Sequence, residues 1–440
     1  MKHIFCTLAV LYITVNACWA QTPARSDSAL QNANLPNCVQ YALTHQPVVQ
    51  QSLIDEGITE RTIQTKLADW YPQVNLNYNL QHNFQLPQVI FQGSPITSGV
   101  TNTSLLGASA TQNIFNRDAL LASRSAGDVR QQSRQTTVSN KIDVVVNVTK
   151  AFYQVLLAQK EIDVLAEDII RLERSLKDAY SQYQGGIVDK TDYKRATISL
   201  NSSRAQYKAV TSAIKSSYAN LKQQMGYPET LPLELNYDTT KMESDIYVDT
   251  TTGVNYTSRI EYQLLKTQQR LLDANVKYYK WGFIPTVSAF GSYNLNFYNN
   301  EFSKTYSQNY QNSWIGLQLS VPLFQGFKRV SQIKQAELQL KRTDWDLISL
   351  RSSVNAEYEQ AISSYKGAYA TYLALKENVQ LASDVYDIIR LQYNSGIKTY
   401  LEVTTAETDL RSAQINFYTA LFQVLSNKLD VQKALGTIQY

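Results

Sequence analysis

The sequence predicts a mostly α, α+β chain in which one large unit, long coiled-coil helices plus two β-strands, is written twice. Three observations carry this: a repeat at a constant offset of 210 residues, heptad lines of apolar residues through proline-free segments, and short period-two stretches between them. Gln182-Tyr183-Gln184-Gly185-Gly186-Ile187 recurs as Gln392-Tyr393-Asn394-Ser395-Gly396-Ile397, and the offset then holds without a gap to Gly226 and Gly436. Gln182, Tyr183, Gly186, Ile187, Ala196, Leu200, Ser202, Ser216 and Gly226 all meet identical partners in the second copy. A duplication of this length places function in symmetric surfaces rather than in one catalytic cleft. The copies span 21–226 and 253–440, and a linker rich in Thr and Asp, 227–252, lies between them.

The chain opens with a secretory leader over 1–20: Lys2 is the basic start, Ile4 to Val15 the apolar run, and Cys18-Trp19-Ala20 the small-residue cleavage site. The rival is a lipobox, Val15-Asn16-Ala17-Cys18, which would put a lipid on Cys18; Asn16 fits it poorly. Either way the protein leaves the cytoplasm. The mature chain then holds 40 basic and 37 acidic residues, a net of +3, and that balance points to neither nucleic acid nor an acidic partner. Its one remaining cysteine, Cys38, excludes an intrachain disulfide and a cysteine-built metal site.

The first strands follow. Val74, Leu76, Tyr78 and Leu80 alternate with Asn75, Asn77 and Asn79, and a weaker partner lies around Leu106, Ala108 and Ala110. In the second copy Val287, Ala289, Gly291, Tyr293, Leu295 and Phe297 alternate with polar residues, as do Ile315, Leu317, Leu319 and Val321. Pro72 and Pro285 mark entry to the first strand of each pair, and the segments Phe84–Ser104 and Tyr298–Asn312 read as long polar loops. One apolar and one polar face suits either a half-buried soluble sheet or a barrel with lipid outside and water inside. No mature stretch reaches the ~18 consecutive apolar residues of a membrane helix, so a membrane span would have to be a closed β-barrel. Four strands cannot close one alone; an oligomer would.

From Asn116 to Gln184 there is no proline, and apolar residues fall on a seven-residue cycle: Ile162, Ile169, Leu176, Tyr183 on one line and Leu165, Leu172, Ala179 on the next. The second copy carries Tyr372, Val379, Tyr386, Tyr393 and Leu375, Ala382, Ile389. This is coiled-coil packing over a helix about 100 Å long. The chain reverses at Gly185-Gly186 and Ser395-Gly396, where glycine permits a positive φ. The return helices repeat the pattern with Tyr193, Leu200, Tyr207, Ile214, Leu221 and Val403, Leu410, Phe417, Val424, Val431. Their second line is small, Ala196, Ser203 and Ser217 against Ala406, Ala413 and Ala420, as a closed ring of helices or an ordinary antiparallel hairpin would use.

The ordered set resembles the TolC family of outer-membrane efflux and secretion ducts over essentially the whole mature chain. The residues that carry it are Ala42-Leu43-Thr44-His45-Gln46-Pro47, the two strand-entry prolines, Val321-Pro322-Leu323-Phe324-Gln325-Gly326, and above all the tips at Tyr183–Ile187 and Tyr393–Ile397. The resemblance implies a homotrimer whose strands form a twelve-stranded outer-membrane β-barrel, continuous with a periplasmic α-helical barrel, in a Gram-negative bacterium. It implies that 227–252 form an equatorial belt and that the tips, Gly185, Gly186, Ile187, Gly396 and Ile397, meet a periplasmic adaptor coupled to an inner-membrane pump of the RND or ABC type.

It further implies a pore constriction of Asp192 and Glu402, 210 residues apart, which in a trimer would be six carboxylates favouring cations. Acidic residues in a first helical turn also suit the macrodipole with no pore role. Tyr393 and Lys398 match positions that latch a closed entrance by bonding to Asp192; lysine replaces the forked arginine contact, and Thr405 stands where a second acid can occur. No catalytic residue, metal or cofactor is expected. His45 and His82 are too few for a metal centre, phosphate-binding and hydrolase motifs are absent, and the scattered carboxylates read as solvated coiled-coil faces. The reading is therefore a passive exit duct; a periplasmic coiled-coil adaptor or tether is the alternative, though it would need only one hairpin and no strand pairs.

Overall fold

The computed structural model describes residue 30 and residues 32–237, 239–249 and 253–440; the expected leader over 1–20, with Cys18, lies outside them. The helices are α1 (Leu35–His45), α2 (Pro47–Leu67), α3 (Arg117–Gln184), α4 (Lys190–Met225), the short α5 (Thr239–Ser244), α6 (Ile260–Lys280), α7 (Lys328–Asn394) and α8 (Tyr400–Leu435). The strands are β1 (Gln73–His82), β2 (Gln88–Phe91), β3 (Ser94–Thr97), β4 (Asn102–Phe115), β5 (Thr286–Asn299) and β6 (Asn309–Ser320). No helix among the described residues is long and apolar enough to cross a membrane.

Four of the strands form an antiparallel sheet in the order β1-β4-β5-β6, and β2 pairs with β3 alone. The four-stranded register stacks Val74, Ala110, Gly291 and Ile315 in one row and Leu76, Ala108, Tyr293 and Ser313 in the next, so one face is mainly apolar, with Ser104, Gln112, Gln311 and Ser313 as polar members. The other carries Asn77, Gly107, Asn294 and Asn312, where Asn294 Nδ2 donates to Asn312 Oδ1 at 3.0 Å. The alternation read from the sequence is the alternation observed. The outer strands β1 and β6 each have one edge unpaired in the chain, and Val74, Leu76, Ile315, Leu317 and Leu319 are exposed.

Two expectations about loops need correction. The segment taken as the loop Phe84–Ser104 contains the hairpin β2–β3, and β4 already begins at Asn102; the second loop shrinks because β5 runs to Asn299 and β6 starts at Asn309. The hairpin turns at Gln92-Gly93, both with positive φ (49° and 84°), the geometry that matches strand twist.

Below the sheet, each copy enters its strands through a matching short turn, Ala68–Trp70 and Trp281–Phe283, ahead of Pro72 and Pro285. The long helices α3 and α7 then run away from the sheet and fold back as α4 and α8. Helix α3 is the central rod, packed on α2, α4, α6 and α8. Its buried Val148, Phe152, Val155 and Leu156 meet Leu421, Val424 and Leu425 in the main core; emptying a site such as Phe152 costs about 3–5 kcal/mol. The linker docks on α7 through Glu243, which accepts from Tyr372 Oη (3.0 Å) and Lys376 Nζ (2.5 Å).

Each return helix ends against the start of a shorter one. Helix α4 stops at Gly226 (φ 65°), pressed against His45 and Gln46, and Gln46 Nε2 donates to the carbonyls of Gln223 (3.1 Å) and Gln224 (2.9 Å). Helix α8 stops at Gly436 (φ 71°) beside Ser258, and Arg259 Nη1 donates to the carbonyls of Lys433 (3.0 Å) and Ala434 (3.1 Å). Carbonyls in a last helical turn lack the usual partner four residues on. Gln223 and Lys433 accept the cap glycine N–H, and the side chains of Gln46 and Arg259 donate to them and to their neighbours from the abutting element. Each chain reversal is thus matched in the two copies, end for end.

Candidate functional site: the hairpin tips and the constriction above them

The two tips are the same turn built twice. After α3, Gly185 keeps a right-handed conformation and Gly186 takes φ 73°; after α7, Ser395 and Gly396 (φ 73°) do likewise. Ile187 N donates to Gln182 O and Ile397 N to Gln392 O, both at 2.9 Å, which closes the helix end as a Schellman turn. The positive φ sits on the second residue alone, which is why Ser395 can replace Gly185. A Cβ on Gly186 or Gly396 would meet nothing within 4 Å, so the backbone angle and not crowding demands glycine. Ile187 and Ile397 stand 77% and 72% exposed at the ends of the hairpins. Each hairpin thus holds one large apolar side chain out on a rigid turn.

Beyond the turns the copies diverge. Asp189 caps α4, and Asp192 lies in its first turn, half-buried. Thr399 caps α8 through a capping box: Glu402 Oε2 accepts from Thr399 N and Thr399 Oγ1, both at 3.0 Å. Lys398 Nζ donates to the other oxygen, Oε1, at 2.5 Å. These bonds, the Lys398 contact first, hold the Glu402 carboxyl down at about 2, so it is ionised at neutral pH.

The expected bonds from Tyr393 and Lys398 to Asp192 are not made within the subunit. Tyr393 Oη donates to Gln182 Oε1 at 2.9 Å, tying the tip of α7 to the tip of α3. Lys398 turns to Glu402, four residues along its own hairpin, because a neighbour on the same helical turn is reached with less loss of side-chain freedom. Asp192 remains near the pair: burial first, then its negative charge, raises the Tyr393 hydroxyl above its usual pKa.

Tyr400 is the residue that breaks the repeat most plainly. Its counterpart Lys190 is exposed, whereas Tyr400 is 1% exposed and packs with Ala179, Ala196 and Tyr193 of the first hairpin. Its ring meets Tyr393 edge-on at 5.8 Å between centroids. Further along, sequence reasoning missed a buried polar group. Asp168 of α3, taken as part of a solvated face, is fully buried and accepts from Ser203 Oγ of α4 (2.6 Å) and Arg411 Nη1 of α8 (3.2 Å). Glu407 is likewise buried, at 2% exposure. The signal was there in the repeat: Asp168, Glu407 and Arg411 face Asn378, Thr197 and Asn201 across the offset, so charge appears where the copies disagree.

The family model described as outer membrane efflux protein matches residues 38–227 and 263–437. Outer membrane protein TolC of Salmonella enteritidis is 25% identical over 426 residues, which cover 93% of this chain and 83% of that protein. Among solved structures, CusC superposes with a TM-score of 0.75 at 16% identity, covering 93% of this chain and 95% of that one. The outer membrane protein VceC of Vibrio cholerae gives 0.73 at 14% identity, with 91% and 96% covered. At such identities the structural likeness is one of fold.

Proposed function

Because the chain belongs to the outer membrane efflux protein family, we propose that three copies of it close into one continuous conduit whose inner mouth is formed by the hairpin tips. The protein is an outer-membrane exit duct of an efflux or secretion system, with a large periplasmic helical part and no enzymatic role. The observation that carries the trimer is the sheet: four strands with an apolar face, and unpaired edges at both β1 and β6. Edge-to-edge pairing between copies would give a twelve-stranded barrel, bury both edges, and turn the exposed Leu76, Ile315 and Leu317 to lipid.

The same three-fold axis would gather three α3–α4 and three α7–α8 tips into a pseudo-sixfold rim. Gly185, Gly186, Ile187, Gly396 and Ile397 there would seat the helical hairpins of a periplasmic adaptor, which couples the duct to an inner-membrane pump. Asp192 and Glu402 would line the constriction as six carboxylates, each Glu402 paired with the Lys398 of its own hairpin. Residues 227–252 would form a belt around the helices at the level where α5 docks on α7. Fractionation tests the proposal: the protein is expected in outer membranes as a heat-sensitive, detergent-resistant trimer, and a monomeric water-soluble mature chain would overturn it. The adaptor or tether reading gives way to the family match.

A further inference from the structure

The two hairpins of a subunit are held together at the tips by Tyr393 and, further from the rim, by the buried group around Asp168. We propose that Asp168, Ser203 and Arg411 form a second, internal clamp between the hairpins, and that the buried Glu407 makes its hold depend on protonation. The inference rests on the duct reading only in calling the clamped state the closed one.

Three helices meet in the clamp. Arg411 Nη1 donates both to Asp168 Oδ2 (3.2 Å) and to Ser203 Oγ (2.7 Å), so one guanidinium of the second hairpin grips both helices of the first. Arg171 Nη2 stands 3.6 Å from the other Asp168 oxygen. Arg411 lies nine residues beyond Glu402 on the same helix, about 14 Å along its axis. An outward swing of α7–α8 at the rim must therefore draw Arg411 from Asp168, and removing one partner of a buried pair leaves the other charge uncompensated.

Glu407 precedes Arg411 by four residues and so shares its face of α8. Neither of its carboxylate oxygens has a hydrogen-bond partner, and the buried Tyr400 hydroxyl about two turns towards the rim has none either. The groups facing Glu407 are Asp168 and Arg171 of α3, Tyr386 and Arg390 of α7, and Arg411 and Tyr400 of α8. Burial, then the Asp168 charge, pushes its carboxyl up to about 7 against the pull of the three arginines. With the hairpins apart the group is hydrated and returns to the ordinary carboxylate range. The closed form therefore binds the extra proton. Its advantage is complete below the ordinary value of 4.5 and falls as pH rises to about 7, by a factor on the order of 10².

Hydrogen exchange read by mass spectrometry on the full-length trimer in detergent, at pH 5.5 and pH 8 and corrected for intrinsic rates, tests this. Segments 186–203 and 396–411 of the wild type are expected to lose protection at least about tenfold at the higher pH. Glu407→Gln, a permanent mimic of the protonated acid, is expected to stay protected at both; Arg411→Gln is expected to be open at both. A Glu407→Gln profile that follows the wild type, or an Arg411→Gln variant as protected as the wild type, overturns the clamp. Because exchange is read within one subunit, the result stands apart from the fractionation on which the duct reading depends.

Discussion

Replacing Tyr393 by Phe removes the one hydrogen bond seen between the turn-proximal ends of α7 and α3, the 2.9 Å contact of its hydroxyl with Gln182. A half-buried neutral bond of this kind contributes about 1 kcal/mol. Three subunits opening together would lose about 3 kcal/mol, on the order of 10² in the ratio of open to closed ducts. Lys398→Ala is the informative control. Its ammonium is engaged by Glu402 on its own hairpin, so its loss leaves the contact between hairpins intact and is expected to change the ratio by less than about twofold. Single-channel recording of purified trimers in planar bilayers reads both. If Lys398→Ala opens the duct as much as Tyr393→Phe, the lysine holds an acid of another hairpin in the assembled trimer, and the reasoning from the subunit fails.

Other outcomes follow from the same geometry. Gly226→Ala would put a Cβ 2.7 Å from the His45 carbonyl oxygen on top of a φ of 65°, whereas Gly186→Ala meets open space. The first is expected to lower the thermal midpoint clearly more than the second, whose cost is the ~1–2 kcal/mol of left-handed backbone alone. Replacing Asp192 and Glu402 together by Ala is expected to lower cation preference in reversal-potential measurements; unchanged selectivity would leave both acids as helix-capping groups. The buried Cys38 thiol, pushed up to about 12 by burial, should resist maleimide in the folded protein at pH 8 and react on unfolding; brisk labelling of the native chain would refute its burial.

The sequence made the backbone plan legible because its signals are periodic. Heptads set the lengths of α3 and α7, alternation set the faces of the sheet, and the 210-residue offset matched one tip to the other. Which heptad line faces which neighbour was not legible: α3 buries Leu165, Leu172 and Ala179, while α7 buries Tyr372 and Tyr386 of the opposite line. Two copies of one helix sit in different surroundings, α3 at the centre and α7 at the side, and a pattern cannot record that. The β2–β3 hairpin escaped because Gln-Gly is an uncommon turn pair and Pro95 lies inside a strand. At the site, the acids were found by matching the copies, yet their bonds were not, since Lys398 chooses between Glu402 and Asp192 by reach. The Asp168 group was hidden by the assumption that coiled-coil carboxylates face water.

The meeting of α4 with α2, and of α8 with α6, divides each subunit into an upper and a lower storey. At that level the covalent chain passes through α3 and α7, while the other two columns of helix are stacked blocks, joined through Gln46 and Arg259. Stacked blocks resist being pushed together and slip when turned. Torsion applied at the lower rim is therefore carried past this level by two continuous struts in each subunit, the helices that lead directly from β4 and β6. The stacked joints at Gln46 and Arg259 are then the places where the two storeys can shift against each other without any bond of the backbone being turned.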